Sequence, residues 1–225
     1  MMPLSKDKKI LIYLFLIILL GSVNNRHFTD TKFFEIKNFK LVGLSEIEKL
    51  DLVLQFEQIK DKNIFSLSKK EITSILNSNN LIESFIINKN YPSGIDVIIQ
   101  KTIFLANINI NNENFLIGSN RKLIKSDIIY TNLPIILGNP SLDDFFLIIN
   151  NISKSSIEFD KIKKLYFFPS KRWDIELNSG IMIKLPINSS IDVLNDYSKI
   201  KNLQEFNDVK IFDLRVNKQI IVNEL

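Results

Sequence analysis

The sequence predicts an α+β protein in three parts. These are a single N-terminal transmembrane helix, a three-stranded sheet with two helices, and a helix-decorated antiparallel β half. Three observations predict it. Ile10 to Val23 (ILIYLFLIILLGSV) carries no charge and follows Lys6, Lys8 and Lys9. Two capping boxes, Ser45-Glu-Ile-Glu48 and Ser68-Lys-Lys-Glu71, each open a run of apolar residues at helical spacing. From Ile103 onward short apolar alternations separated by turn residues dominate.

The N-terminal stretch admits three readings: a retained anchor, a cleaved signal peptide and a soluble core helix. A spanning helix needs ~20 apolar residues, whereas ~10–14 suits a signal-peptide core. Gly21, Ser22, Val23 and Asn24 form no Ala-x-Ala cleavage pattern, which favours the anchor. Flanking lysines that snorkel and a locally thinned bilayer would make up the length. Anchor and signal give one topology, because lysines before the span hold the N-terminus in the cytoplasm and the bulk is exported. The expected boundaries are a tail over 1–9 and an anchor over 10–27, then domains over 33–102 and 103–225.

The polar connector Asn24 to Lys32 leads into a strand-like run, with Ile36, Phe39 and Leu41, that ends at Gly43. Ser45 opens a helix to about Ile59, with Ile47, Leu50 and Leu54 as its apolar face. Ser68 opens a second, with Ile72, Ile75 and Leu76, which stops in the polar run Asn77 to Asn80. Phe85 and Ile87, the turn Tyr91-Pro-Ser-Gly94, and Ile95, Val97 and Ile99 make a hairpin. Two helices covering one face of such a sheet is a stable layering.

In the second half, strands fall around Ile108 and Ile110, Asn114 to Ile117, and Leu123-Ile124. Ser141-Leu-Asp-Asp144 opens a helix carrying Phe145, Ile149 and Ile152, its two acids favoured by the helix dipole. Strands follow over Ile162–Phe168, Trp173–Leu177 and Ile181–Leu185, with Asn178-Ser-Gly180 as a tight turn. Ser190 caps a helix with Val193, Leu194 and Tyr197. Val209–Val216 and Gln219–Val222 form a closing hairpin around Asn217-Lys218.

Composition argues against chemistry. The chain has 225 residues, 45% of them hydrophobic, enough for a packed core. It has no cysteine, and His27 is its one histidine, which disfavours disulfides, thiolates, most metal sites and Ser/His/Asp or Cys/His arrangements. The six glycines are too scattered for a phosphate-cradling loop. The net charge of +4 comes almost wholly from lysine, and Ala106 is the sole alanine. An A/T-rich genome explains Ile, Asn and Lys dominance better than a nucleic-acid partner, which favours clustered Arg and exposed aromatics. No catalytic residue, cofactor, metal, small-molecule substrate or nucleic acid is expected, and an exported hydrolase is the weakest reading.

The order strand, helix, helix, strand, strand after an N-terminal apolar segment resembles a POTRA domain. Across nearly the whole chain the sequence resembles the FtsQ/DivIB family of bacterial division proteins. The first carrying residues are Ile36, Phe39, Leu41 and Gly43, then Asn63-Ile64-Phe65 and Tyr91-Pro92. Leu133-Pro-Ile-Ile-Leu-Gly138, Arg172-Trp173-Asp174, Gly180 with Ile183-Lys184-Leu185, and Asp213-Leu214-Arg215 follow in order. Gln100-Lys101, Lys62 and Gly118 depart from the family pattern at turns and strand ends. The resemblance implies a non-enzymatic divisome scaffold of the cell inner membrane, its C-terminal domains periplasmic and enriched at the septum. It implies FtsB/FtsL-like bitopic division proteins as partners. An accessory protein of secretion or outer-membrane assembly is the alternative.

The candidate partner-binding residues are Arg172, Arg215, Val216, Asn217, Lys218, Gln219, Ile220, Ile221 and Val222. Trp173 reads as core filler, with Arg172 beside it turned to solvent, paired with an acid, or part of a polar anchor for a partner. Asp213-Leu214-Arg215 reads as structural, Leu214 inward and both charges on the other face. The last strand has little chain after it to cover its edge, so an extended partner segment has room to add there. Against that, Asn223 and Glu224 would blunt the edge, or the strand would be internal.

Overall fold

The structure is a computed structural model that describes residues 6–23, 32–187, 191–200, 209–216 and 219–223. The chain divides into two compact units after Lys101.

Helix α1 (Lys6–Val23) has 18 residues and spends its first four on Lys6, Asp7, Lys8 and Lys9. Its uncharged part rises only about 21 Å at 1.5 Å per residue, against a hydrocarbon core of about 30 Å. No helix among the described residues is long and apolar enough to cross a membrane. The large apolar side chains from Ile10 to Leu20 are all exposed.

In the rest of the first unit, β1 (Asn38–Val42), β2 (Ile82–Asn90) and β3 (Gly94–Lys101) form a sheet ordered β1-β3-β2, with β1 parallel and β2 antiparallel to β3. Helices α2 (Leu50–Glu57) and α3 (Lys69–Ser78) supply the rest of its core. Ile36, Leu52, Phe56, Ile64, Ile72, Leu76, Ile95 and Val97 are wholly buried there. Gly43 is indispensable. Its φ is +111°, and a Cβ built on it would lie 1.8 Å from the Ile99 carbonyl oxygen.

The two capping boxes behave differently. Ser68 Oγ accepts from the Glu71 N–H at 3.1 Å, and α3 starts at the next residue. Ser45 and Glu48 also bond to each other, Ser45 N donating to Glu48 Oε2 at 3.0 Å, but regular helix begins only at Leu50. Residues 46–49 form a tight turn, and Glu48 also takes the Lys101 ammonium. The predicted apolar face of this helix is corrected too. Ile47, Leu50 and Leu54 are exposed, and Leu52 and Phe56 are buried. Both sets have helical spacing, and only the sheet underneath decides which is inward.

The second unit is one sheet of nine described strands, ordered β12-β11-β10-β9-β8-β7-β4-β5-β6. The strands are β4 (Phe104–Ile110), β5 (Glu113–Gly118), β6 (Leu123–Lys125), β7 (Ile135–Leu137), β8 (Ile162–Phe167), β9 (Trp173–Leu177), β10 (Met182–Lys184), β11 (Ile211–Asp213) and β12 (Ile221–Asn223). The sheet is mixed, which corrects the antiparallel expectation. β4–β7, β7–β8 and β10–β11 run parallel. Parallel neighbours need a crossover, and two of these connections carry helices: α4 (Leu142–Lys154) between β7 and β8, and α5 (Ile191–Ile200) between β10 and β11. β7 had no element assigned from sequence. Three residues between Pro134 and Gly138 offer no period to read.

One row of side chains crosses seven of these strands on the helix-covered face: Ile108, Ile136, Leu165, Ile175, Ile183, Phe212 and Val222. All seven belong to the apolar core, with Phe145, Ile148 and Ile152 of α4 and Leu194 and Tyr197 of α5. Trp173 is buried there against Phe167, ring centroids 4.8 Å apart. Ile148, not Ile149, is the fully buried residue of the central turn of α4. Ser141 caps that helix, its Oγ accepting from the Asp144 N–H at 3.1 Å. The cap expected at Ser190 lies outside the described residues. Gly138 has φ +104°, and a Cβ there would sit 2.3 Å from the Phe167 carbonyl oxygen.

Gly43→Ala should destabilise the first unit by on the order of 3 kcal/mol, since it combines positive-φ strain with a backbone clash. Ser68→Ala should cost about 1 kcal/mol as a lost N-cap, and Ser45→Ala clearly less. Urea titration followed by far-UV circular dichroism ranks the three variants; equal shifts would contradict this account.

Candidate functional site: the C-terminal edge of the large sheet

The functional candidate grows from the last three strands. β11 pairs antiparallel with β12 in the register Ile211↔Asn223, Phe212↔Val222 and Asp213↔Ile221. Among the described strands β12 has a neighbour on one side only. Val222 and Ile220 turn onto the core, so β12 is packed down as well as hydrogen-bonded. Ile221 points to the opposite face, 48% exposed. Val216 and Gln219 are exposed, with Gln219 N donating to the Val216 carbonyl at 3.1 Å. Asn217 and Lys218 lie outside the described residues.

The face of the sheet away from the helices carries a second row in the same register: Leu137, Tyr166, Asp174, Lys184, Asp213 and Ile221. Its two aspartates are paired with arginines. Arg172 Nε donates to Asp174 Oδ1 at 3.2 Å, and the Arg172 guanidinium lies 4.1 Å from the centre of the Phe168 ring. Arg215 Nε donates to both oxygens of Asp213, at 2.8 and 3.0 Å. Lys184 stands opposite both aspartates in the strand register. Tyr166 OH donates to Glu176, one row over, at 2.6 Å, and that bond with burial pushes the phenol up to about 12.

The two aspartates titrate in opposite senses. Burial raises the Asp174 carboxyl, and the Arg172 charge offsets this only in part. Hydrogen bonds from Arg215 hold the Asp213 carboxyl below its usual range, against a smaller desolvation effect. Asp174 also acts on Arg215, so the cluster is continuous from β9 to the C-terminal side of β11.

Of the partner-binding candidates expected from the sequence, Arg215, Val216, Gln219, Ile220, Ile221 and Val222 fall on or beside the edge strand. Arg172, just before β9, is three strands inward and already engaged by Asp174 and Phe168. Asp174 and Lys184 were not among those candidates. The signal for Asp174 was present as Arg-x-Asp at 172/174, matched by Asp-x-Arg at 213/215, the spacing that puts both partners on one strand face, whereas Lys184 joins them only through the strand register. Among the described residues no group of His, Cys, Asp or Glu is arranged to hold a metal.

The family model described as cell division protein FtsQ/DivIB, C-terminal, matches residues 106–215. Residues 106–215 therefore match the C-terminal domain of the FtsQ/DivIB family. The match takes in β11 and stops before β12. The chain is 26% identical over 189 residues to the cell division protein FtsQ of Rickettsia bellii (strain RML369-C), covering 81% of this chain and 69% of that one. It is 25% identical over 201 residues to FtsQ of Rickettsia prowazekii (strain Madrid E), covering 86% and 74%. A solved structure is similar at 15% identity, with a TM-score of 0.36, covering 48% of this chain and 98% of that one. It is the major extracytoplasmic domain of the trans isomer of the cell division protein DivIB from Geobacillus stearothermophilus. The FtsQ/DivIB proteins are cell division proteins, and the charge-paired sheet beside β11 lies within the region that this chain shares with them.

Linkage fixes the pH behaviour of the two aspartates. The Asp213 carboxyl is lower in the folded than in the unfolded chain. Its contribution is therefore present above about pH 4 and lost as pH falls through the depressed value. Asp213→Asn should lower the thermal midpoint at pH 7, with the gap to wild type closing on acidification. The Asp174 carboxyl is raised, so wild type loses stability as pH rises from about 4 through the raised value. Asp174→Asn should gain on wild type over that window. Thermal melts from pH 3 to pH 8 test both signs.

Proposed function

We propose that this protein is a membrane-anchored, non-enzymatic scaffold of bacterial cell division whose β12 edge receives an extended segment of a partner. The occupants are FtsB/FtsL-like bitopic division proteins. The observation that carries the reading is the character of this edge. The two ends of the large sheet differ. At β6, Lys125 pairs with Glu113 of β5, a charged edge of the kind that discourages further pairing. β12 and its lead-in, Gln219 to Asn223, carry no charge and present Ile221 on a strand with only one neighbour among the described strands. A partner strand adding there gains main-chain hydrogen bonds, and Ile221 with the Asp213–Arg215 pair selects its side chains. Arg172 serves this surface from a distance by holding Asp174 in place.

In this reading α1 is the anchor. Its lysines snorkel to the cytoplasmic interface and a locally thinned bilayer makes up the length, which places the sheet domains in the periplasm at the division septum. The 33–102 unit is a POTRA domain that meets other membrane partners, and 103–225 is the partner-binding β domain. Topology and strand addition fail separately. A tag fused after Leu225 should be digested by external protease in spheroplasts, and protection until lysis would refute the topology.

Successive N–H groups of an edge strand point alternately to its neighbour and outward. Ile220→Pro and Ile221→Pro therefore remove one donor of each kind, and either ring bends the strand. Pull-down of an FtsB-like partner should be abolished by at least the variant that loses the outward donor. Undiminished capture by both, with native circular dichroism, would refute strand addition.

A further inference from the structure

We infer that the tip of the first unit formed by Phe33, Phe34, Phe65 and Tyr91 is a membrane-interface foot that seats this unit on the bilayer surface. The inference rests on α1 being the membrane anchor.

Three separate chain segments bring these rings together. Phe33 and Phe34 meet edge to face at 5.1 Å, Phe34 and Phe65 again at 5.1 Å, and Phe65 stacks on Tyr91 at 5.0 Å with planes 18° apart. Phe34 is half-buried against the core of the unit, and the other three rings lie outside it. Phe33 is 64% exposed, and Phe65 and Tyr91 are each 59% exposed. A contiguous aromatic patch left in water is a cost that soluble surfaces avoid and binding surfaces use.

The patch is also held rigid. The Lys89 ammonium donates to the carbonyls of Ile64 and Leu67 at 2.6 and 2.7 Å, clamping the loop on both sides of Phe65. Asn63 Oδ1 accepts from the Phe65 N–H at 2.9 Å. Ile64 N donates to the Phe34 carbonyl at 2.9 Å, which ties the first segment to the second. Charge-assisted bonds of this kind fix geometry, and here they fix apolar rings facing outward.

The chain itself names the occupant. α1 ends at Val23 and the patch begins at Phe33, one residue after Lys32. The segment from Val23 to Phe33 reaches no more than about 36 Å fully extended. A tip tethered that closely to a membrane helix stays within reach of the headgroup region, where amphipathic aromatics such as Tyr concentrate. Exposed Lys32 and Lys37 flank the rings, Lys37 beside the Tyr91 turn through its N–H bond to the Ser93 carbonyl at 2.9 Å. Cations in this position suit lipid phosphates.

The absence of native cysteine makes site-directed spin labelling of the full chain direct. Leu16→Cys, Phe65→Cys, Tyr91→Cys and Ser84→Cys would each be labelled and reconstituted into phosphatidylethanolamine–phosphatidylglycerol vesicles. Ser84 lies toward the other end of β2 from Tyr91, about 20 Å away. The ratio of oxygen to nickel-chelate accessibility should be highest at 16, several-fold above water values at 65 and 91, and water-like at 84. With Phe33→Ser and Phe65→Ser added, the label at 91 should return to the water value. Labels at 65 and 91 as water-exposed as at 84, with 16 in lipid, would overturn the foot and leave the anchor standing. A label at 91 shielded from both probes would report a protein occupant and overturn it equally. A water-exposed label at 16 would overturn the anchor and this inference with it.

Discussion

Backbone pairing is the constraint on which the rest of this structure depends. Nine described strands satisfy one another through continuous ladders, and the ladder stops at β12. A buried or half-buried main-chain group without a partner is costly, and among the described residues no strand pairs with the side of β12 away from β11. Core packing suits that side to another chain. Val222 and Ile220 hold the strand against the apolar row that runs back through Phe212, Ile183 and Ile175. A partner strand would meet a surface already ordered, and would not have to supply that ordering itself.

The two faces of the sheet divide the labour. The helix-covered face is apolar and provides the stability. The other face is polar but not passive. Arg172 with Asp174 and Arg215 with Asp213 form two clamps, each within one strand and its flank, around Lys184. Removing one member would strand a charge in a partly dehydrated row, which is why such pairs specify geometry more than they add stability. The clamps tie β9, β10 and β11 together next to β12, the strand proposed for docking.

The first unit shows the same division between local and global causes. Both capping boxes form their local hydrogen bonds, as their residues dictate. Only Ser68 starts a helix where its box predicts, because Ser45 and Glu48 sit over a turn that also serves Lys101. Ile47, Leu50 and Leu54 are as well spaced as Leu52, Phe56 and Ile59, yet the second set is the buried one. Spacing is a property of the segment, and inward is a property of what lies beneath it.

What the sequence determined by itself were features set by short-range chemistry. These include the caps at Ser68 and Ser141, the turn ending at Gly180, the hairpin around Tyr91 and the alternation that buries Phe212 and Leu214. The charge-free N-terminal stretch and the family motifs from Leu133 to Arg215 were legible in the same way. Tertiary structure decided the parallel pairings of β7 and β10, the convergence of Asp174 and Asp213 on Lys184, the place of β12 at the sheet margin and the assembly of Phe34, Phe65 and Tyr91 into one patch. Each of these joins separate segments of the chain. Sequence patterns record which side of a segment is apolar, and only the closed fold decides which segments become neighbours.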